Sequence, residues 1–263
     1  MNADTSANNE NGGRSRVSRR SMLQYMAAVP LTYGVFASAA QAASQMSRLT
    51  SGRTPAALIT GCSSGFGFYT AKTLARNGFH VFASMRNVST KNARAADDLR
   101  RFARAEDLKL EVVKIDIDLD ESVDTGVASV MEATDLIDVL FNNAGINIPG
   151  PIELSMVAAR RSFETNVFGQ LRMLRAVATG MREKRHGLII QMSSGLGRLV
   201  QPTSGMYSAT KFAQEALFES AAYELHPFGV EVAIIQPSDF DTRIKANSRC
   251  YFQELVNGLA AAD

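Results

Sequence analysis

The stretch Ala56-Ala57-Leu58-Ile59-Thr60-Gly61-Cys62-Ser63-Ser64-Gly65-Phe66-Gly67 decides the architecture. A continuous apolar run leads straight into three glycines, and a segment of helical period follows. A run that is apolar at every position reads as a strand covered on both faces of its sheet. The glycines let the backbone turn sharply and approach a pyrophosphate. A helix starting at that turn presents unpaired N–H groups and the positive end of its dipole to an anion. Gly61, Ser63, Ser64, Gly65, Phe66 and Gly67 are therefore the expected phosphate cradle. The Gly-x-x-x-Gly-x-Gly spacing is longer than the usual dinucleotide fingerprint, and a tight turn without a ligand would share it.

Outward from this loop the pattern repeats. Apolar runs fall at 56–60, 80–84, 110–115, 137–141, 188–192 and 230–236, each bounded by polar or glycine-containing sequence. Between most of them lie helix-length stretches with apolar residues three and four apart, such as Phe66, Tyr69, Leu74 and Phe79, or Phe168, Leu171, Leu174 and Val177. Strands alternating with such helices predict an α/β fold, a Rossmann-like doubly wound parallel sheet flanked by helices. No repeat and no low-complexity linker interrupts residues 55–263, which read as one domain.

The end of the second strand discriminates between dinucleotides. An NAD site generally places an acid there to accept from the ribose 2′-hydroxyl. The sequence has Ala83-Ser84-Met85-Arg86 instead. An arginine pairs with a 2′-phosphate that a carboxylate would repel, so the residues point to NADP, with NAD as the alternative. Ser63 is placed to add a hydrogen bond.

With these pieces in order the chain resembles the short-chain dehydrogenase/reductase family from about Pro55 to Thr242. The matching motifs are the glycine loop, Asn142-Asn143-Ala144-Gly145 after the fourth strand, and Asn166 in Thr165-Asn166-Val167-Phe168-Gly169. Ser194 stands thirteen residues before Tyr207, and Tyr207-Ser208-Ala209-Thr210-Lys211 is similar to the family's Tyr-x-x-x-Lys. Pro237 and Thr242 match its segment after the sixth strand. Within the family the loop, Arg86 and Lys211-Phe212-Ala213 look most like NADP-linked hydroxysteroid and retinol dehydrogenases.

The resemblance implies hydride transfer between a nicotinamide and a carbonyl or alcohol carbon. Tyr207 is then general acid in reduction and general base in oxidation. A free phenol has a pKa of about 10, and Lys211, one helical turn away, would favour the phenolate. Ser194 would orient the substrate oxygen, and Asn166 would hold a water linking Lys211 to solvent. Asn142, Asn143, Ala144 and Gly145 would border the adenosine ribose, Asp116 and Ile117 the adenine, and Pro237 and Thr242 the carboxamide or pyrophosphate. Ile146, Ile148, Met156, Phe240, Tyr251 and Phe252 are candidate walls for an apolar substrate, each equally consistent with plain core. The equivalents of the family's contact helices, 157–181 and 206–224, imply a homodimer or homotetramer.

Two departures stand out. Ser238 occupies a position where the family has glycine, and the chain ends about twenty residues beyond Thr242. One helix, 249–261, and no strand are expected there, with a minimal substrate cover and an open last sheet edge. The departures also motivate a rival reading, a non-catalytic dinucleotide-binding or sensor protein.

Composition narrows the partners. A net charge of +2 over 263 residues, with Arg182, Lys184, Arg185 and His186 as the densest basic group, argues against nucleic acid. Cys62 and Cys250 have no metal-ligand spacing, and His80, His186 and His226 are scattered, so no metal is expected. Residues 1–16 lack periodicity and read as disordered. Ser18-Arg19-Arg20-Ser21-Met22-Leu23 followed by the uncharged stretch 22–43 resembles a twin-arginine export signal, with cleavage near Ala42. That predicts a periplasmic protein without a stable membrane anchor; the alternative is a cytoplasmic one with a disordered tail.

Overall fold

A computed structural model describes residues 53–153, 156–238, 242 and 244–260. The expected export segment lies outside the described residues. Six strands form one parallel sheet: β1 (Ala56–Ile59), β2 (His80–Met85), β3 (Leu110–Lys114), β4 (Val139–Asn142), β5 (Gly187–Met192) and β6 (Val230–Ile235). Their order is β3-β2-β1-β4-β5-β6. The register sets Ala57 beside Val81 on one side and beside Val139 on the other. The chain leaves β1 in one direction and returns beside it from the other. The loops after β1 and β4 therefore diverge, leaving a crevice above the carboxyl ends of the strands.

Helices cover both faces. α1 (Gly65–Arg76) and α2 (Ala93–Ala105) pack on one side with Ala57, Ile59, Val139 and Phe141. On the other, α3 (Asp120–Ala133), α5 (Gly169–Lys184) and α6 (Gly205–Leu225) enclose Leu58, Leu140 and Ile189. Burial on both faces is why the strands are apolar at every position. Fully burying each Leu, Ile or Phe stabilises by roughly 1.5–3 kcal/mol.

The expected helical faces are displaced in two places. On α1 the fully buried positions are Gly67, Ala71 and Ala75, while Tyr69 is exposed and Leu74 half-buried. Small residues bring this helix close to the loops: a Cβ on Gly67 would lie 2.5 Å from Asn143 Nδ2 and 2.7 Å from the Gly61 carbonyl. The helix expected over 157–181 is α4 (Met156–Phe163), a π-helical turn (Glu164–Phe168) and α5. The wide turn rotates the following stripe, so Met173, Val177 and Met181 face the core and Phe168 is half-exposed. The last helix, α7 (Ile244–Ala260), starts five residues earlier than expected, and no strand follows β6 among the described residues. Among the described residues β6 pairs only with β5.

At the end of the sheet opposite the crevice, the buried Asp138 carboxylate accepts bonds from both Arg53 amino groups, from the Ala56 N–H at 2.7 Å, and faces His186 Nε2 at 3.0 Å. It joins the starts of β1, β4 and β5. Asp138→Ala leaves the Ala56 N–H unpaired, and urea unfolding is expected to show a loss of about 3 kcal/mol. Cofactor affinity measured on the folded fraction should not change; a stability equal to wild type would refute the latch.

Candidate active site

The crevice holds a cleft of about 1030 Å³. Its floor is the glycine loop: Gly61 and Gly65 have φ of +73° and +59°, left-handed values that an L side chain resists. A Cβ on Gly61 would lie 2.8 Å from Ala144 Cα. Ser64 caps α1 without a side-chain hydrogen bond, and the positive end of the helix dipole faces the cleft at Gly65. Asn143 and Ala144 both donate their backbone N–H to Thr60 Oγ1 at 2.9 Å, and Asn143 Nδ2 donates to the Thr60 carbonyl at 2.8 Å. These bonds tie the loop after β4 to the loop after β1.

Gly61, Ser63, Ser64, Gly65, Phe66, Arg86, Asp116, Ile117, Asn143, Ala144, Gly145, Pro237 and Thr242 all line this cleft. Gly67 does not; it is the close-packing point of α1. Asn142 does not either: it is buried, and its Nδ2 donates to the Gln170 carbonyl at 3.3 Å. As the last residue of β4, it turns its side chain into the α5 layer.

At one end of the cleft Arg86 has neighbours that lie far from it in the sequence. Nη1 lies 3.5 Å from Asp118 Oδ2, and Nη2 donates to the Tyr251 hydroxyl at 3.4 Å. Asp118 also accepts from Thr165 Oγ1 at 3.1 Å, and its other oxygen is buried without a hydrogen-bond partner. Burial pushes the Asp118 carboxyl up, and the Thr165 bond opposes this. From α7, Glu254 pairs with Arg161 at 3.1 Å, and Arg161 lies over the Tyr251 ring at 4.6 Å.

Towards the other end Ser194 follows β5, in extended backbone, and its Oγ accepts the Leu196 N–H at 3.2 Å. Tyr207, from α6, lines the same end of the cleft with its phenol beside Ser194. Burial raises the Tyr207 pKa, and the neighbouring Ser194 side chain partly offsets the rise. Lys211 is buried one turn along α6, and burial lowers it to about 7 against the opposing pull of Glu215. Its Nζ donates to the Met192 carbonyl and to Gln214 Oε1, both at 2.9 Å, and lies 5.5 Å from the Tyr207 ring centroid. At the phenol desolvation dominates, and Tyr207 keeps its proton at neutral pH.

Asn166 is buried away from the cleft, in the π-turn. Its Oδ1 accepts the Ile146 N–H at 2.8 Å, and its Nδ2 donates to the Ile146 carbonyl at 2.8 Å and to Thr210 Oγ1 at 3.0 Å. Its backbone carbonyl accepts from Gln214 Nε2. The link to Lys211 expected through a water is made here by the Gln214 amide.

Of the expected apolar walls, Ile146 and Tyr251 line the cleft. Ile148 is buried as core, Met156 and Phe252 are exposed away from the cleft, and Phe240 lies outside the described residues. Met192, Leu196 and Leu199 complete the apolar side, with Ser238 at its edge. The loop after β5 that carries Leu199 has no period by which to find it. Cys62 and Cys250 are free, and no cluster of metal-ligating side chains occurs among the described residues.

A family model described as short chain dehydrogenase matches residues 55–250. The chain is 37% identical over 191 residues to a 3-ketodihydrosphingosine reductase of Bacteroides thetaiotaomicron, covering 72% of this chain and 65% of that relative's length. Among solved structures, a gluconate 5-dehydrogenase from Burkholderia cenocepacia in complex with NADP and tartrate superposes with a TM-score of 0.67 at 29% identity, covering 73% of both chains. A short chain dehydrogenase/reductase from Burkholderia phymatum in complex with NAD gives 0.69 at 28% identity, covering 77% of this chain and 72% of that one.

Proposed function

The chain belongs to the short-chain dehydrogenase family, and on that premise we propose that it is an oxidoreductase moving hydride between NADP(H) and an apolar ketone or secondary alcohol. The observation that carries the reading is that Ser194, Tyr207 and Lys211 line the same cleft as a glycine cradle and Arg86. A dinucleotide fits the residues present: two left-handed glycines, the N-terminus of α1, a guanidinium for a phosphate and a length of cleft joining them.

The nicotinamide, when bound, supplies the hydride. Ser194 donates to the substrate oxygen and orients it. Tyr207, buried and protonated, gives its proton to that oxygen as charge develops in reduction, and takes it back in oxidation. Lys211 provides positive charge beside the phenol whenever it is protonated. Met192, Leu196, Leu199 and Ile146 exclude water from the substrate side and favour an apolar ligand. The relative named as a reductase of 3-ketodihydrosphingosine supports the same choice. Exposed Phe168, Phe212 and Tyr223 on the π-turn and α6 supply an apolar surface for self-association.

NAD is the second reading, favoured by Asp118 and Asp116 at the adenosine end. The test is a screen of ketones and secondary alcohols against both cofactors with the full chain. Consumption of NADPH with an apolar ketone is the expected result. Tight cofactor binding without turnover of any substrate would favour the sensor reading.

A further inference from the structure

Gln214 is fully buried on α6, three residues beyond Lys211. Its Oε1 accepts from Lys211 Nζ at 2.9 Å, and its Nε2 donates to the Asn166 carbonyl in the π-turn. The neighbours fix the orientation of the amide. An ammonium only donates and a carbonyl only accepts, so a flipped amide would oppose donor to donor and acceptor to acceptor. A π-turn departs from the regular i→i+4 ladder, and here the Asn166 carbonyl finds a partner outside its own helix. The Asn166 side chain is meanwhile committed to Ile146 and Thr210.

Both acceptors of Lys211, Gln214 Oε1 and the Met192 carbonyl, are uncharged. They satisfy the ammonium without cancelling its charge, which a carboxylate in the same place would do. The nearest carboxylate on α6, Glu215, is held by Arg198 at 3.1 Å and by Gln236 Nε2 at 2.8 Å. In the π-turn Glu164 pairs with Arg172, and Asp118 beside it accepts from Thr165. β5 offers Lys211 only the neutral Met192 carbonyl.

We infer that Gln214 is a positioning residue of the hydride-transfer site: its neutral amide clamps Lys211 to the π-turn, leaves the lysine's charge available to Tyr207, and fills the space through which a water would connect the two. The inference rests on the reading above and deepens it. It requires Tyr207 to exchange its proton through the open cleft, because the inner side of Lys211 is closed by an amide.

Two variants test it, Gln214→Glu and Gln214→Met. The first reading is spectroscopic and needs no substrate: the phenolate absorbance of Tyr207, taken as the difference from Tyr207→Phe across a pH titration. In Gln214→Glu the new carboxylate adds a negative charge near the phenol once Lys211 has discharged, so the Tyr207 midpoint should rise by about one pH unit. Alcohol oxidation near neutral pH should fall roughly tenfold and recover as pH is raised. Gln214→Met keeps the volume and removes the acceptor. Its kcat should fall roughly tenfold at unchanged substrate KM, because Lys211 is no longer held; this variant decides alone if the glutamate variant does not fold. A wild-type Tyr207 midpoint in Gln214→Glu, or wild-type kcat in Gln214→Met, would overturn the inference. A shifted midpoint in a protein that turns over no substrate would support the clamp and refute hydride transfer instead.

Discussion

Tyr207→Phe is expected to lower turnover by about 10³–10⁴-fold while leaving cofactor affinity within about twofold. Phenylalanine keeps the ring that α6 packs into the cleft and removes only the hydroxyl. What is lost is the proton donor beside Ser194. Fluorescence titration with reduced cofactor and single-turnover rates measure the two effects separately. The pH profile of the wild type follows from the same group. Burial raises the Tyr207 pKa, so the protonated, donating form persists to higher pH than in a free phenol. Carbonyl reduction should therefore hold up into the alkaline range and fall only as the phenol ionises. Alcohol oxidation should show the opposite slope. Lys211 adds a second titration: above about 7 it loses its charge, and with it the field that favours phenolate. Residual turnover in Tyr207→Phe within tenfold of wild type would remove the phenol from the mechanism.

Much of this was legible in the residues because the relevant signals are local. A buried parallel strand must be apolar throughout, a pyrophosphate turn must contain glycine, and a phenol and a lysine four apart share a helix face. Six strands and the cradle follow from those constraints. What was not legible depends on distance in the chain. Nothing near Gly67 announces that Asn143, 76 residues on, fills the space a Cβ would need. The π-turn at Glu164–Phe168 has no composition of its own, yet it rotates the α5 stripe and offers a carbonyl to Gln214. Gln214 sits in the helical register as an ordinary polar residue, and only the fold shows that it is buried against Lys211. Asp118 reads in the sequence as an ordinary loop acid two residues after Asp116, and its role depends on Arg86 reaching it from the end of the neighbouring strand.

Arg86→Ala is expected to cut kcat/KM for NADP by roughly 10–100-fold and to leave that for NAD within about twofold. A charge-assisted hydrogen bond to phosphate contributes about 1.5–3 kcal/mol, and 1.4 kcal/mol is a factor of ten. NAD has no 2′-phosphate for the guanidinium to meet, so the ratio of the two efficiencies isolates this contact from any general damage. The neighbourhood makes a second variant informative. Asp118 lies 3.5 Å from Arg86 and would compete with a 2′-phosphate for it, while adding repulsion of its own. Asp118→Asn should therefore improve NADP efficiency several-fold and leave NAD unchanged or weaker. The carboxyl of Asp118 is pushed up by burial, so it gains its proton at a higher pH than an ordinary aspartate. Wild-type preference for NADP should accordingly strengthen as Asp118 takes up its proton, and comparison with Asp118→Asn across the same pH series isolates that contribution. If Arg86→Ala instead leaves the NADP-to-NAD ratio unchanged, the guanidinium belongs to the Asp118–Tyr251 contacts of α7 and not to the cofactor, and the NAD-linked reading takes its place.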